Sequence, residues 1–130
     1  ERLTVTDVPL TSSRVDRTPG VSVVEEDLAR PVVAGRFGFI RAANILNPGY
    51  FDGATITRFA ASLFARLDEG ALFFVVRSID GQNRGTLFRR ARDRLEVVTE
   101  MNGGSEVAHH ILAAPSGVTP RAPEGAVPSP

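Results

Sequence analysis

The sequence predicts an α/β domain with a mostly parallel sheet and a carboxyl-terminal antiparallel hairpin, and three observations predict it. Residues 36–46 (RFGFIRAANIL) are almost continuously apolar, as a strand buried on both faces would be. Ile56, Phe59, Ala60, Leu63, Phe64 and Leu67 then recur at three- and four-residue spacing, with Thr57, Arg58, Arg66 and Asp68 between them. That is the pattern of an amphipathic helix. Residues 71–76 (ALFFVV) follow as a second buried strand. Strand, helix and strand across 37–78 make a crossover long enough to join two parallel strands.

The remaining elements follow in order. Residues 3–8 (LTVTDV) alternate apolar and polar and are rich in β-branched side chains, which predicts a strand ending near Asp7, before Pro9 and the Thr11-Ser12-Ser13 cluster. Residues 21–24 (VSVV) predict a second short strand, followed by Glu25-Glu26-Asp27, and Pro31 and Gly35 mark a loop. The connections between these early strands, roughly 14 and 11 residues, are near the shortest that parallel pairing allows. Asn47-Pro48-Gly49 is a turn signal. Asp52 is the expected cap of the helix, and Gly70 lies just past its expected end. Residues 80–113 admit two readings. Leu87, Phe88, Ala91, Leu95, Val98 and Met101 fit one helical face. The alternative is a hairpin with strands near 86–90 and 95–101, favoured by Val97-Val98-Thr99 and by the turn signal Asn102-Gly103-Gly104.

A chain of 130 residues holds one domain at most. Residues 114–130 contain five prolines and almost nothing large and apolar, so they predict a flexible tail and leave 1–113 for the domain. Fifteen basic residues, all arginine, balance fifteen acidic ones. No global field therefore draws nucleic acid or an anionic membrane. The absence of cysteine excludes disulfides, zinc–thiolate sites and cysteine nucleophiles. The longest apolar run, 71–76, is far short of a membrane span, and the first ten residues lack the apolar stretch of a signal peptide. Neither a membrane nor nucleic acid is an expected partner, and the cytoplasm is the expected compartment.

The segment FGFIRAANILNPGYFDGATITRFAASLFARLDEGALFFVVRSIDG resembles the second half of a class I S-adenosylmethionine-dependent methyltransferase. In that family a strand ends in an Asn-containing loop, a helix follows, and a Pro-Gly-Gly-like turn introduces the next strand; here the turn is Asp68-Glu69-Gly70-Ala71. GTLFRRARDRLEVVTE is similar to the antiparallel hairpin that closes the family's sheet, which decides residues 86–101 for the hairpin. LTVTDV resembles the family's second strand, whose terminal acid binds the ribose hydroxyls, with Asp7 at that position. VSVVEEDLARP resembles the third strand and the acid that approaches adenine, with Asp27 matching. The resemblance spans residues 2 to 113 and rests on the order and spacing of degenerate motifs. It implies a Rossmann-like sheet, S-adenosylmethionine as cofactor, and methyl transfer to a small-molecule or peptide acceptor.

Two departures qualify it. A strand with a Gly-x-Gly loop, which lets backbone approach the cofactor and opens a helix, should precede residues 3–8. Gly35 and Gly38 precede a strand instead of following one, and Gly103-Gly104 sit late in a turn. Gly38 also stands where the family often has an acid. The chain is thus expected to be the carboxyl-terminal two-thirds of such a domain, lacking the first strand and glycine loop, and completed by a second copy or a complementing subunit.

Methyl transfer from a sulfonium is an in-line displacement with an excellent leaving group. Alignment, desolvation and, where needed, a base supply the catalysis, so the reaction requires no nucleophile or metal motif. Asp7 at a strand end could accept two hydrogen bonds from a ribose diol, or it is a turn aspartate before proline. Asp27 meets an adenine amine, or it belongs to a solvated acidic cluster or caps a helical turn. The resemblance places Ala42, Ala43 and Asn44 beside the cofactor near the sulfonium; small residues serve close packing equally well. Tyr50 and Phe51 either wall the substrate side or pack. His109 and His110, if on a strand, face opposite ways and make a poor metal pair. Arg84, Arg89, Arg90, Arg92 and Arg94 form the one dense basic stretch. It contacts phosphate, or it is a solvated hairpin face balanced by Asp93, Glu96 and Glu100.

Overall fold

A computed structural model of the chain describes residues 12–30 and 35–114. The expected strand at 3–8, with Asp7, and residues 115–130 of the expected tail lie outside the described residues. The elements in order are α1 (Ser13–Asp16), β1 (Phe37–Ala43), α2 (Gly53–Phe64), β2 (Leu67–Ile79), β3 (Gln82–Ala91), β4 (Arg94–Met101) and α3 (Ala108–Leu112). They form one four-stranded sheet in the order β1-β2-β3-β4.

The fold class differs from the expected one. Only β1 and β2 run parallel; β2 with β3, and β3 with β4, are antiparallel. Among the described residues the result is a mixed sheet dominated by strands, with a single substantial helix, and not a helix-rich Rossmann-like α/β fold with a mostly parallel sheet. Two tight turns are the physical reason. Asp80 and Gly81 both take left-handed φ values, 49° and 75°, as a two-residue type I′ hairpin requires. Arg92-Asp93 joins β3 to β4 just as briefly. A two-residue connection can join only antiparallel neighbours. Residues 21–24, expected as a strand, have no regular structure, and Val21, Val23 and Val24 are exposed.

The crossover is built as its sequence suggests at one end and differently at the other. Asp52 caps α2, its Oδ1 accepting from the Thr55 N–H at 2.8 Å. The helix stops at Phe64, however, and the fully buried Leu67 already belongs to β2. Gly70, expected as the helix end, sits at φ 76° in a bulge of β2. The bulge spans the jump in register from Phe37↔Leu67 to Phe39↔Leu72 and contains the Asp68-Glu69-Gly70 stretch that resembled a turn. Both Glu69 carboxylate oxygens accept from the Arg92 N–H, at 2.8 and 3.0 Å, which ties the bulge to the β3–β4 turn. Residues 86–101 form strands, as the hairpin reading expected.

The core lies between one face of the sheet and two helices. Ala42, Phe73, Val75 and Phe88 pack against Ile56, Phe59, Ala60 and Leu63 of α2, and against Val107 and Ile111 at α3. Burying a phenylalanine such as Phe73 or Phe88 contributes about 1.5–3 kcal/mol relative to leaving it exposed. Thr86 is the buried polar residue of this face, and its Oγ1 accepts from the Ser105 N–H at 2.8 Å, pinning the loop that leads to α3. The Arg90 guanidinium lies 4.5 Å from the centre of the Phe64 ring and donates to the carbonyls of Phe64 and Leu67. The Phe64 carbonyl is one of the acceptors that a helix end leaves unpaired, and the Leu67 carbonyl belongs to the start of β2. At the amino-terminal end of the parallel pair, the Phe37 N–H donates to the Arg66 carbonyl at 2.7 Å. Arg66 is ion-paired to Glu26, and Leu28 packs on the core. Residues 26–28 are therefore anchored at that end.

Candidate functional site

The described residues present two concave spots: a smaller one of about 150 Å³ between Asp93-Arg94 and α3, and a larger one at the carboxyl ends of β1 and β2. The rule that ligands bind outside the carboxyl ends of strands belongs to open α/β sheets, and here only β1 and β2 run parallel; the larger volume and the resemblance at Ala43 and Asn44 make this notch the candidate. β1 alternates as a strand must. Ala42 points to the core and is only 1% exposed, whereas Arg41 and Ala43 lie on the opposite face. They line a notch of about 260 Å³ with Asn44, Phe74, Val76, Ser78, Asn83 and Met101.

Asn44 shapes the notch. It turns the chain out of β1 with φ 59°, a conformation asparagine tolerates better than most residues. Its N–H donates to the Val76 carbonyl at 2.9 Å, and its Oδ1 accepts from the Ser78 N–H at 2.9 Å. The side chain is therefore clamped to β2, and its Nδ2 donates to no described residue. On the far wall Ser78 donates through Oγ to the Asn83 Oδ1 at 2.6 Å, and Asn102 donates through Nδ2 to the Asn83 carbonyl at 2.6 Å. These bonds fix the start of β3 against the end of β4.

The other expected residues fall in different places. The Asp27 Oδ1 accepts from the Ala29 N–H at 2.9 Å, and Asp27 neighbours Glu26, which is anchored to Arg66. It thus belongs to the amino-terminal end of the parallel pair, while Asn44 ends β1 at the other end. The structure brings Ala43 and Asn44 together and leaves Asp27 apart from them; Asp7 lies outside the described residues. In the loop after Asn44, the Asn47 carbonyl accepts from the Tyr50 and Phe51 N–H groups, both at 3.0 Å. Tyr50 is 82% exposed. Phe51 packs edge-on against Phe59, with centroids 5.1 Å apart, and so braces α2. Ala42, which the resemblance put beside the cofactor, is core.

His109 and His110 are on α3, not on a strand, with ring centroids 3.9 Å apart. Among the described residues no group of three or more carboxylates and imidazoles is placed to hold a metal ion. The arginines of β3 and β4 do not form one patch. Arg90 is turned toward Phe64, Arg84 donates to the Asn102 carbonyl at 3.2 Å, and Arg94 pairs with Glu96 at 2.8 Å.

Arg41, Phe74, Val76, Ser78, Asn83 and Met101 were not singled out from the sequence. Their signal was the period-two spacing of 39/41/43 and 74/76/78, which becomes a shared face only once the pairing Ala43↔Val76↔Gly85↔Met101 is known.

The notch does not by itself fit S-adenosylmethionine. At about 260 Å³ it is below the roughly 300–1,000 Å³ of small-molecule sites. Its charged lining residue is the Arg41 guanidinium, and it holds no carboxylate to receive an ammonium group or a ribose diol. What it offers is one wall: a small side chain, an immobilised carboxamide and apolar flanks. No described helix is long and apolar enough to cross a membrane. No family model matches the chain, and neither the curated proteins nor the solved structures contain a match.

Proposed function

We propose that this chain takes part in methyl transfer from S-adenosylmethionine to a small-molecule or peptide acceptor, as a piece of a larger or complemented domain. One observation carries the reading. The parallel β1–α2–β2 crossover ends in the Ala43–Asn44 ledge at the carboxyl ends of its strands, within the segment whose motif order resembles the methyltransferases. Ala43 leaves room beside the ledge, and Asn44 offers a held amide donor. In this reading the larger or complementing domain completes the site, because the notch is too small and lacks an acid.

Calorimetric titration with S-adenosylhomocysteine of the domain restored to full length, or of the chain with its complementing subunit, tests it. Saturable one-site binding is expected, weakened about tenfold by Asn44→Ala, the loss of roughly one hydrogen bond to a ligand, and further by Ala43→Leu, which fills the ledge. Absent binding, or binding indifferent to both substitutions, removes the reading.

A second reading, a non-catalytic module that acts by associating with a partner, is favoured by a separate observation. Phe39 and Met101 are 54% and 44% exposed on the face of the sheet opposite the helices. Sedimentation of a clean monomer across the micromolar range counts against it.

A further inference from the structure

The hydrogen bonds around the notch use up the oxygens of its two carboxamides and leave their donors free. Asn44 and Asn83 are both tied to Ser78. The Asn44 Oδ1 accepts from the Ser78 N–H at 2.9 Å, and the Asn83 Oδ1 accepts from the Ser78 hydroxyl at 2.6 Å. A carboxamide has two N–H donors besides its oxygen, and neither Nδ2 donates to a described residue. Because one serine holds both amides, their donors share one part of the notch wall.

Arg41 adds a charge to these donors. Its side chain lines the same notch and makes no hydrogen bond or ion pair with a described residue. Two other arginines near this end are engaged: Arg77 with Glu106, and Arg84 with the Asn102 carbonyl at 3.2 Å. No Asp or Glu lines the notch, and the rest of its lining is apolar, with Phe74, Val76 and Met101 the large members. Apolar neighbours keep water from part of the site, and a charge-assisted hydrogen bond gains strength there.

We propose that the notch is a binding site for a small carboxylate with a short apolar chain. The carboxylate accepts from the Arg41 guanidinium and from the free amide donors of Asn44 and Asn83, and the chain lies on Phe74, Val76 and Met101. An ionised carboxylate only accepts hydrogen bonds, so it suits a wall whose side chains offer donors; an ammonium group would meet those donors and a like charge. The volume of about 260 Å³ equals that of roughly eight or nine water molecules at about 30 Å³ each, which suits an acid of about that many heavy atoms. The inference stands on the hydrogen bonds and the lining alone, whether or not the chain takes part in methyl transfer.

Titration of the full chain with sodium hexanoate, followed by NMR, tests it. The side-chain NH₂ signals of Asn44 and Asn83 and the Arg41 Nε–H signal are expected to shift together and to saturate with one dissociation constant. Arg41→Gln removes the charge and should weaken binding about tenfold or more, the loss of a charge-assisted hydrogen bond. Asn44→Asp and Asn83→Asp keep the oxygen that Ser78 bonds but replace the outward donors with an anion, and each should weaken binding about tenfold or more as well. Unchanged amide signals of Phe73 and Phe88 show that each variant remains folded, and Arg41 has no described partner to lose. Hexanamide, of the same shape without the charge, should bind about tenfold more weakly or worse. Absent saturation, binding indifferent to the three substitutions, or equal binding of hexanamide overturns the proposal. Inorganic phosphate bound as tightly as hexanoate also overturns it, and assigns the notch to anions without an apolar chain. Hexanoate is neither donor nor product of methyl transfer, so failure of S-adenosylhomocysteine binding bears on the function alone.

Discussion

The two faces of this sheet are both largely apolar but differ in charge and in cover. On the inner face the register sets Ile40, Phe73, Phe88 and Val97 in one row, and Ala42, Val75, Thr86 and Glu100 in the next. The central members of both rows are sealed by α2 and α3. On the outer face the rows are Phe39, Leu72, Arg89 and Glu96; Arg41, Phe74, Leu87 and Thr99; and Ala43, Val76, Gly85 and Met101. No described helix packs there. An antiparallel sheet with one wet face alternates apolar with polar, yet β2 is apolar at every position from Ala71 to Val76. Periodicity reports how a strand is meant to be buried, and the described helices meet that demand on one side only.

The sharpest way to break this comparison is to truncate one aromatic on each face. Phe73→Ala opens a cavity beside Phe88, whose ring centroid is 6.1 Å away, and should destabilise by about 3–5 kcal/mol. Phe39→Ala, at a position 54% exposed, should cost less than about 1 kcal/mol. Urea unfolding of both variants measures the difference. Equal losses would mean that the outer face is covered as fully as the inner one.

This contrast also explains what could be read in advance. α2 and its cap at Asp52 were legible because the three-four spacing and the capping aspartate are local signals. β2 was legible as a buried run, and the hairpin at 86–101 from its β-branched residues and the resemblance. The parallel sheet was not right, because a continuous apolar strand shows that both faces are buried without showing which way its neighbours run. The deciding signal, Asp80-Gly81, is a two-residue hairpin dipeptide that was not weighed. The strand at 21–24 failed because four β-branched and small residues carry no information about a partner. At the notch, the resemblance pointed to Ala42, Ala43 and Asn44, of which Ala43 and Asn44 line it and Ala42 is core. The remaining lining of the notch comes from three strands, and cross-strand pairing is a long-range property that spacing along one strand does not encode.

A smaller effect sharpens the comparison at the helices that close the inner face. A Cβ built on Gly53, the first residue of α2, would lie 2.4 Å from the His110 Cε1 of α3, whereas one built on Gly38 of β1 meets nothing within 4 Å. Gly53→Val should therefore push α3 off α2 and cost about 1–3 kcal/mol by overpacking. Gly38→Ala should be neutral or slightly stabilising, since glycine in a strand loses more freedom on folding than alanine. Restoring stability to Gly53→Val by adding His110→Ala would identify the clash as the cause. An unrepaired double variant would point to backbone strain at the start of α2 instead.

The smallest effect is a pH dependence confined to the helix that seals the inner face. The Asp52 carboxyl is held below its ordinary value of 3.8, first by its hydrogen bond with the Thr55 side chain and then by the Thr55 N–H, against an opposing desolvation that outweighs the small help from the charge of Arg58. The folded chain therefore binds this proton less readily than the unfolded chain. The stability contributed by the ionised cap is complete above the unfolded-state value and fades as the pH falls through the lower, folded-state one. Asp52→Asn keeps an acceptor for the Thr55 N–H but cannot ionise. The Tm of the parent should exceed that of the variant near neutrality, and the two should converge as the pH falls through the lowered, folded-state value of Asp52. Phe39→Ala should show no such convergence, because it removes no titrating group. A difference between the parent and the Asp52→Asn variant that stays constant from neutrality into acid would mean that the charge of Asp52 does not stabilise α2, and that the cap works through hydrogen-bond geometry alone.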